Sequence, residues 1–288
     1  MPFLLLGLSV VLSTGRNLFS KKLSDIRFGT RPFFLCQSVL FLCGGVVLIL
    51  LGKIAWNGLA ITTIGYAVIY GFLLILAQWF YTAALAKGNT ALCSTVYSLG
   101  FIIPTLSGAI LWSEPFSPLD GLGVLCAVAA VIVSGVKSQG KEKNGISLYF
   151  IPLIIAMLAS GGLGVVQKLQ QKSDCAEQKS LFLLIAFSLA AGASLLFALC
   201  SKKKSISAFR PQKLAVASGI GVFFGCCNLL NTTLAGLLPS AIFFPTLNIG
   251  VILLSMICGV IFFKEKIRKR ELSVLILGGV AILLLNIG

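Results

Sequence analysis

The chain has 288 residues, of which 58% are hydrophobic and 11% charged, at a mean hydropathy of +1.03. Soluble domains hold about 25% charged residues, so this much apolar surface excludes an ordinary water-soluble core and makes lipid the solvent for much of the chain. The net charge of +15 would suit nucleic acid, but Lys and Arg sit in short tracts between apolar runs, such as Lys202-Lys203-Lys204 and Lys264 through Arg270, with no soluble basic domain to hold nucleic acid.

A membrane-crossing helix needs about 20 mostly apolar residues. The N-terminus has neither a basic leader nor a small-residue cleavage site, so the first apolar run reads as a retained helix, Pro2–Ser20. It carries Ser13, Arg16, Asn17 and Ser20. Arg16 is the strong charge set well inside a span. Two readings compete for it: snorkelling to the nearby interface, or binding an anionic group with its planar fork. The second span, Pro32–Leu51, offers little beyond Gln37. The third, Ile61–Ala86, has Gln78 and Tyr81. The fourth, Thr90–Trp112, places Ser94, Tyr97, Ser98 and Thr105 on one helical face; it holds Pro104 and closes before Glu114. The fifth, Pro118–Val136, is nearly featureless.

After a polar break at Lys137–Asn144 the sixth span runs over Ile146–Gln167, with Ser160 and Gln167. The seventh, Ser180–Cys200, is apolar. The eighth, Leu214–Leu237, has Asn228, Asn231 and Thr232 at helical spacing. The ninth, Ser240–Phe263, carries Thr246, Asn248 and Ser255 with Pro245, and closes before Glu265. The tenth is Leu272–Ile287. Connections are short. The polar spans are thus one, three, four, six, eight and nine. Their Ser and Thr hydroxyls have an alternative use in bonding back to their own helix, and Asn or Gln in joining helices. Pro104 and Pro245 are candidate hinges or static kinks, and Glu114 and Glu265 candidate gates or loop ion pairs to Lys264 and its neighbours.

The halves look alike. Trp112-Ser113-Glu114 matches Phe263-Lys264-Glu265, Asp120 matches Glu271, and Gly100 matches Gly250. Gly15 with Lys21 is spaced as Gly162 with Lys168. The expected fold is all-α and integral to the membrane: ten transmembrane helices as two five-helix repeats, residues 1–138 and 145–288. Five is odd, so the second repeat inserts upside down, and inverted repeats are a recurring transporter plan. Most Lys and Arg follow the odd-numbered spans, while Lys53, Lys168, Lys172 and Lys179 follow the even ones. The positive-inside rule then places the odd loops in the cytoplasm and both termini outside.

Length, span count, the inverted duplication, Gly15/Lys21, the stretch Tyr81–Gly88, Pro104, Pro245, Glu114 and Glu265 together resemble the drug/metabolite transporter superfamily, in its ten-helix EamA-like branch. That resemblance implies a cell (inner) membrane exporter of metabolites, amino acids, sugars or drugs. It also implies a cavity lined by helices 1, 3, 4, 6, 8 and 9, and termini on the cytoplasmic side, against the charge pattern. Ser13-Thr14 stands where the family commonly has Trp-Gly, and Arg16 departs from the pattern too.

All eight carboxylates fall in loops or at helix ends. Antiport of a lipophilic cation for protons needs an intramembrane acid, so a zwitterionic, anionic or neutral polar solute fits better. The expectation is a secondary transporter working by alternating access, with flipping of a lipid-linked carrier or phospholipid as the alternative. Cavity candidates are Arg16, Asn17, Gln78, Tyr81, Ser94, Tyr97, Ser98, Gln167, Asn228, Asn231 and Asn248. With no His, no CxxC pair and no nucleophile–base set inside a span, no metal, cofactor or enzymatic centre is expected. The nine cysteines, including vicinal Cys226-Cys227, read as small packing residues. The expected partners are a small-molecule solute and membrane lipid, and a monomer can close its own cavity.

Overall fold

The computed structural model describes residues 1–20, 23, 26, 29–52, 54, 58–85, 93, 96–135, 150–201, 211–263 and 269–287. Among these there is no strand. The helices are α1 (Pro2–Ser20), α2 (Arg31–Leu51), α3 (Ile61–Leu85), α4 (Ile102–Trp112), α5 (Pro118–Gly135), α6 (Phe150–Lys172), α7 (Lys179–Cys200), α8 (Pro211–Leu237), α9 (Ser240–Phe263) and α10 (Lys269–Ile287). Seven of them, α1–α3 and α6–α9, are long and apolar enough to cross a membrane; the apolar stretches Val96–Trp112, Pro118–Val133 and Leu272–Ile287, which hold α4 and most of α5 and α10, are shorter. This is a multi-pass membrane protein.

Local chemistry explains the ends. Pro32 stands in the first turn of α2, where its missing N–H costs nothing. Ahead of α5, Ser117 and Asp120 cap each other: the Ser117 N–H donates to Asp120 Oδ2 at 2.8 Å and the Asp120 N–H to Ser117 Oγ at 3.1 Å, a reciprocal box that satisfies helix-start donors.

Several helices depart from the sequence reading. The fourth span is described only from Val96, and a 3₁₀ turn over Leu99–Phe101 precedes α4. Pro104 lies in the first turn after that 3₁₀ segment, within the helical run Val96–Trp112. Pro245 is inside α9. The sixth helix runs to Lys172, more than a turn past the expected stop at Gln167, so Lys168 belongs to its body. The eighth starts at Pro211 rather than Leu214.

The cores mix the two halves of the chain. One joins Phe41 and Leu48 of α2 and Tyr70 and Leu74 of α3 to Phe182 and Phe187 of α7 and Phe224 of α8. The other joins Ala127 and Val131 of α5 to Phe243 of α9 and Ala281 and Leu285 of α10. The main helix contacts are α2 with α7 and α8, α3 with α6 and α7, α1 with α8 and α9, α4 with α6 and α9, and α5 with α10. Lipid is as apolar as Leu, so close packing rather than water exclusion holds such helices together. Glycines allow it. A Cβ on Gly221 of α8 would lie 2.3 Å from the Leu40 carbonyl oxygen of α2, and one on Gly225 lies 2.6 Å from that of Gly44.

Candidate functional site

The antiparallel seam between α1 and α8 carries a ladder of polar contacts. Ser9 Oγ donates to Asn231 Oδ1. A turn on, Ser13 Oγ meets Cys227 Sγ at 3.4 Å. Another turn on, the Arg16 guanidinium lies 5.1 Å from the centre of the Phe224 ring, cation-over-ring geometry. Positions 9, 13 and 16 share one face of α1, and 231, 227 and 224 share one face of α8. Arg16 is thus turned toward α8, and it also donates to Asn17 Oδ1 at 3.3 Å.

Beside this seam, three helices meet at one hydroxyl. Tyr70 of α3, 1% exposed, donates to Asn228 Oδ1 of α8 and accepts from Gln167 Nε2 of α6 at 2.8 Å. The Asn228 amide also donates to its own helix at Phe224 O, 2.8 Å away. In a lipid-surrounded bundle each of these groups has to be satisfied inside the protein. Asn228–Tyr70–Gln167 does so with a single chain of hydrogen bonds. Tyr81 of α3 and Tyr97, just ahead of α4, stack with ring centres 4.4 Å apart, and Arg16 is within electrostatic reach of Tyr70, Tyr81 and Cys227.

One end of the bundle is clasped. At the end of α4, Ser113 takes the left-handed conformation, φ 50° and ψ 35°, which ends the helix and turns the chain at Glu114. The Glu114 carboxylate accepts from the Ser240 N–H at the start of α9, 2.7 Å, and pairs with Lys168 Nζ of α6 at 2.5 Å. Lys168 is 1% exposed and also donates to the Leu238 carbonyl at 2.9 Å. Four segments, α4, α6, the end of α8 and the start of α9, therefore meet on one buried ion pair. Gly108 makes room: a Cβ there would lie 2.4 Å from Ser240 Cβ and 2.6 Å from Glu114 Oε2. Burial alone would push the Glu114 carboxyl up. The hydrogen bonds from Lys168 and Ser240 and the Lys168 charge outweigh it and hold the carboxyl below its ordinary range. On the same end, Gln178 bonds Thr63 Oγ1 at 2.7 Å and the Gly58 carbonyl at 2.9 Å.

Of the cavity candidates, Arg16, Gln167, Asn228 and Asn231 are brought together, and Tyr81 stacks on Tyr97. Asn17 is exposed and touches the group only through Arg16. Asn248 donates to Phe244 O of its own helix, 2.9 Å, as Thr105 does to Phe101 O, 2.8 Å; both serve their helices. Gln78 and Ser98 are half-buried and stand outside the hydrogen-bonded group. Ser94 and Glu265 lie outside the described residues. Glu114 pairs with Lys168, where the sequence offered Lys264 and its neighbours as the partner. Sequence reasoning missed Tyr70, a lone hydroxyl in an apolar run, and gave Ser9 no role. It used Lys168 only as a mark of duplication; the signal that could have found it is a lysine six residues after Gly162 in a helix long enough to bury it.

No protein-family model matches the chain, and no curated protein matches it. Twenty-eight solved chains are similar in structure. One, a crystal structure described only as that of a protein, superposes with a TM-score of 0.74 at 18% identity, covering 99% of this chain and 98% of that one. The likeness shows a fold shared end to end and nothing of activity.

Proposed function

We propose that the protein is a secondary transporter of a small polar solute, built as ten transmembrane helices in two inverted five-helix repeats and related to the EamA-like branch of the drug/metabolite transporters. The observation that carries this reading is the buried polar group contributed by α1, α3, α6 and α8 inside an otherwise apolar bundle. Polar side chains at membrane depth are expensive and concentrate where solutes pass. The inverted repeat draws support from the packing. Exchanging each helix with the one five places on turns α2·α8 into α7·α3, α3·α6 into α8·α1, and α1·α9 into α6·α4, all of which are observed.

The Glu114–Lys168 clasp then closes the solute path at the end of the bundle bearing the even-numbered loops, and the polar group opens toward the other end. Positive charge assigns that other end to the cytoplasm of the cell membrane. No catalytic chemistry is assigned to the chain. The test is whole-cell metabolite profiling of cells carrying the native chain against cells with the empty vector. A soluble solute whose inside-to-outside ratio changes supports transport. An unchanged soluble pool with altered leaflet distribution of lipid rejects it in favour of lipid flipping.

A further inference from the structure

Arg16 differs from the buried Lys168 in its surroundings. Lys168 is neutralised by Glu114, whereas no carboxylate among the described residues lies within ion-pair distance of Arg16. Of the described acids, Glu114 is held by Lys168 and Ser240, Asp120 caps α5, Asp174 and Glu177 lie between α6 and α7, and Glu271 lies in the first turn of α10. The guanidinium lies over Phe224, one turn from the Ser13–Cys227 contact. Among the described residues it makes one hydrogen bond, to Asn17, which leaves most of its five donors for another acceptor. Among the described residues it has no counter-ion, and a half-buried guanidinium with donors to spare is suited to receive an anion.

The neighbours narrow the class. Arg16 lies over the Phe224 ring face, one turn of α8 from Asn228, whose Oδ1 holds the Tyr70 hydroxyl that Gln167 also reaches. A phosphate dianion calls for more than one cation, and Arg16 supplies one. An ammonium group would have to sit beside the Arg16 guanidinium, and no described acid lies within ion-pair distance of Arg16 to offset that repulsion. We propose that Arg16 receives the carboxylate of a monoanionic solute whose remaining body is uncharged and hydrogen-bonding, such as a hydroxy or keto acid. This rests on the transport reading above.

The test uses purified full-length protein in liposomes loaded with small-molecule extract of the expressing cells, separated by ion exchange into anionic, neutral and cationic or zwitterionic fractions. Loss from the lumen is followed by mass spectrometry. The expected result is protein-dependent loss of a monocarboxylate from the anionic fraction, slowed about thirtyfold or more in Arg16→Gln. Arg16→Lys, which keeps the charge and loses the fork, should fall in between. Gel filtration of both variants checks folding, and Arg16→Lys decides the matter if Arg16→Gln does not assemble. Loss confined to the neutral or cationic fraction, loss of a phosphate ester alone, or variants as fast as the native chain would overturn the proposal while leaving transport standing. No loss from any fraction would remove the transport reading itself.

Discussion

Lys168 and Glu114 form a pair whose worth is tied to burial. Removing one partner leaves the other charge uncompensated, a loss of about 3–5 kcal/mol in buried pairs. Lys168→Met should therefore lower the melting temperature of the purified protein markedly, and Glu114→Gln should lower it too. The double variant should melt above the sum of the two losses, because no bare charge remains. A double-mutant cycle on melting temperature reads this directly; additive losses would mean that the two groups do not interact. The carboxyl is held below its ordinary value, so its contribution is present above the unfolded value, about 4.3, and is lost as pH falls through the folded one. The melting difference between the native chain and Glu114→Gln should be flat from neutral pH to about pH 5 and shrink only in stronger acid. At this scale the sequence was half legible. An acid closing a helix can be read from the chain, but its partner lies 54 residues on in another helix, and no local pattern joins them. Likewise Tyr70 is 97 residues from Gln167 and 158 from Asn228.

Helix contacts depend on small residues, and the glycines can be told apart by what faces them. Gly221 meets the backbone of α2, so one added methyl forces two helices apart; Gly219, two residues away, faces open space. Gly221→Ala should destabilise by about 1–3 kcal/mol, the range for overpacking, and Gly219→Ala should leave the melting temperature unchanged or slightly raised. Thermal unfolding of the two variants side by side separates packing from helix propensity. Apolar length located every helix in the sequence, because a span in lipid must satisfy its backbone internally. Helix ends were less legible. The extension of α6 past Gln167 carries Lys168 and Gln170, polar residues that hydropathy assigns to a loop. Lys168 is neutralised by Glu114, and Gln170 Nε2 bonds the Cys175 carbonyl at 2.7 Å.

For the whole molecule, the proposed inverted repeat rests on the sequence signs of duplication and on the exchange of helix contacts. Polar spacing along the chain singled out helices one, three, four, six and eight, and all of these but the fourth supply the buried group. It also credited span nine, whose Asn248 is absorbed by its own helix, since periodicity cannot tell a back-bonded amide from a free one. The central claim is a water-lined solute path through the polar group, closed at one end by the Glu114–Lys168 clasp. It is tested most directly by Asn231→Cys in a chain whose nine native cysteines are replaced, treated with a membrane-impermeant maleimide from either face. The account expects labelling from the odd-loop face while the clasp is intact, and labelling from the opposite face as well once Lys168→Met is added. A cysteine that reacts from neither face, with or without the clasp, would contradict it.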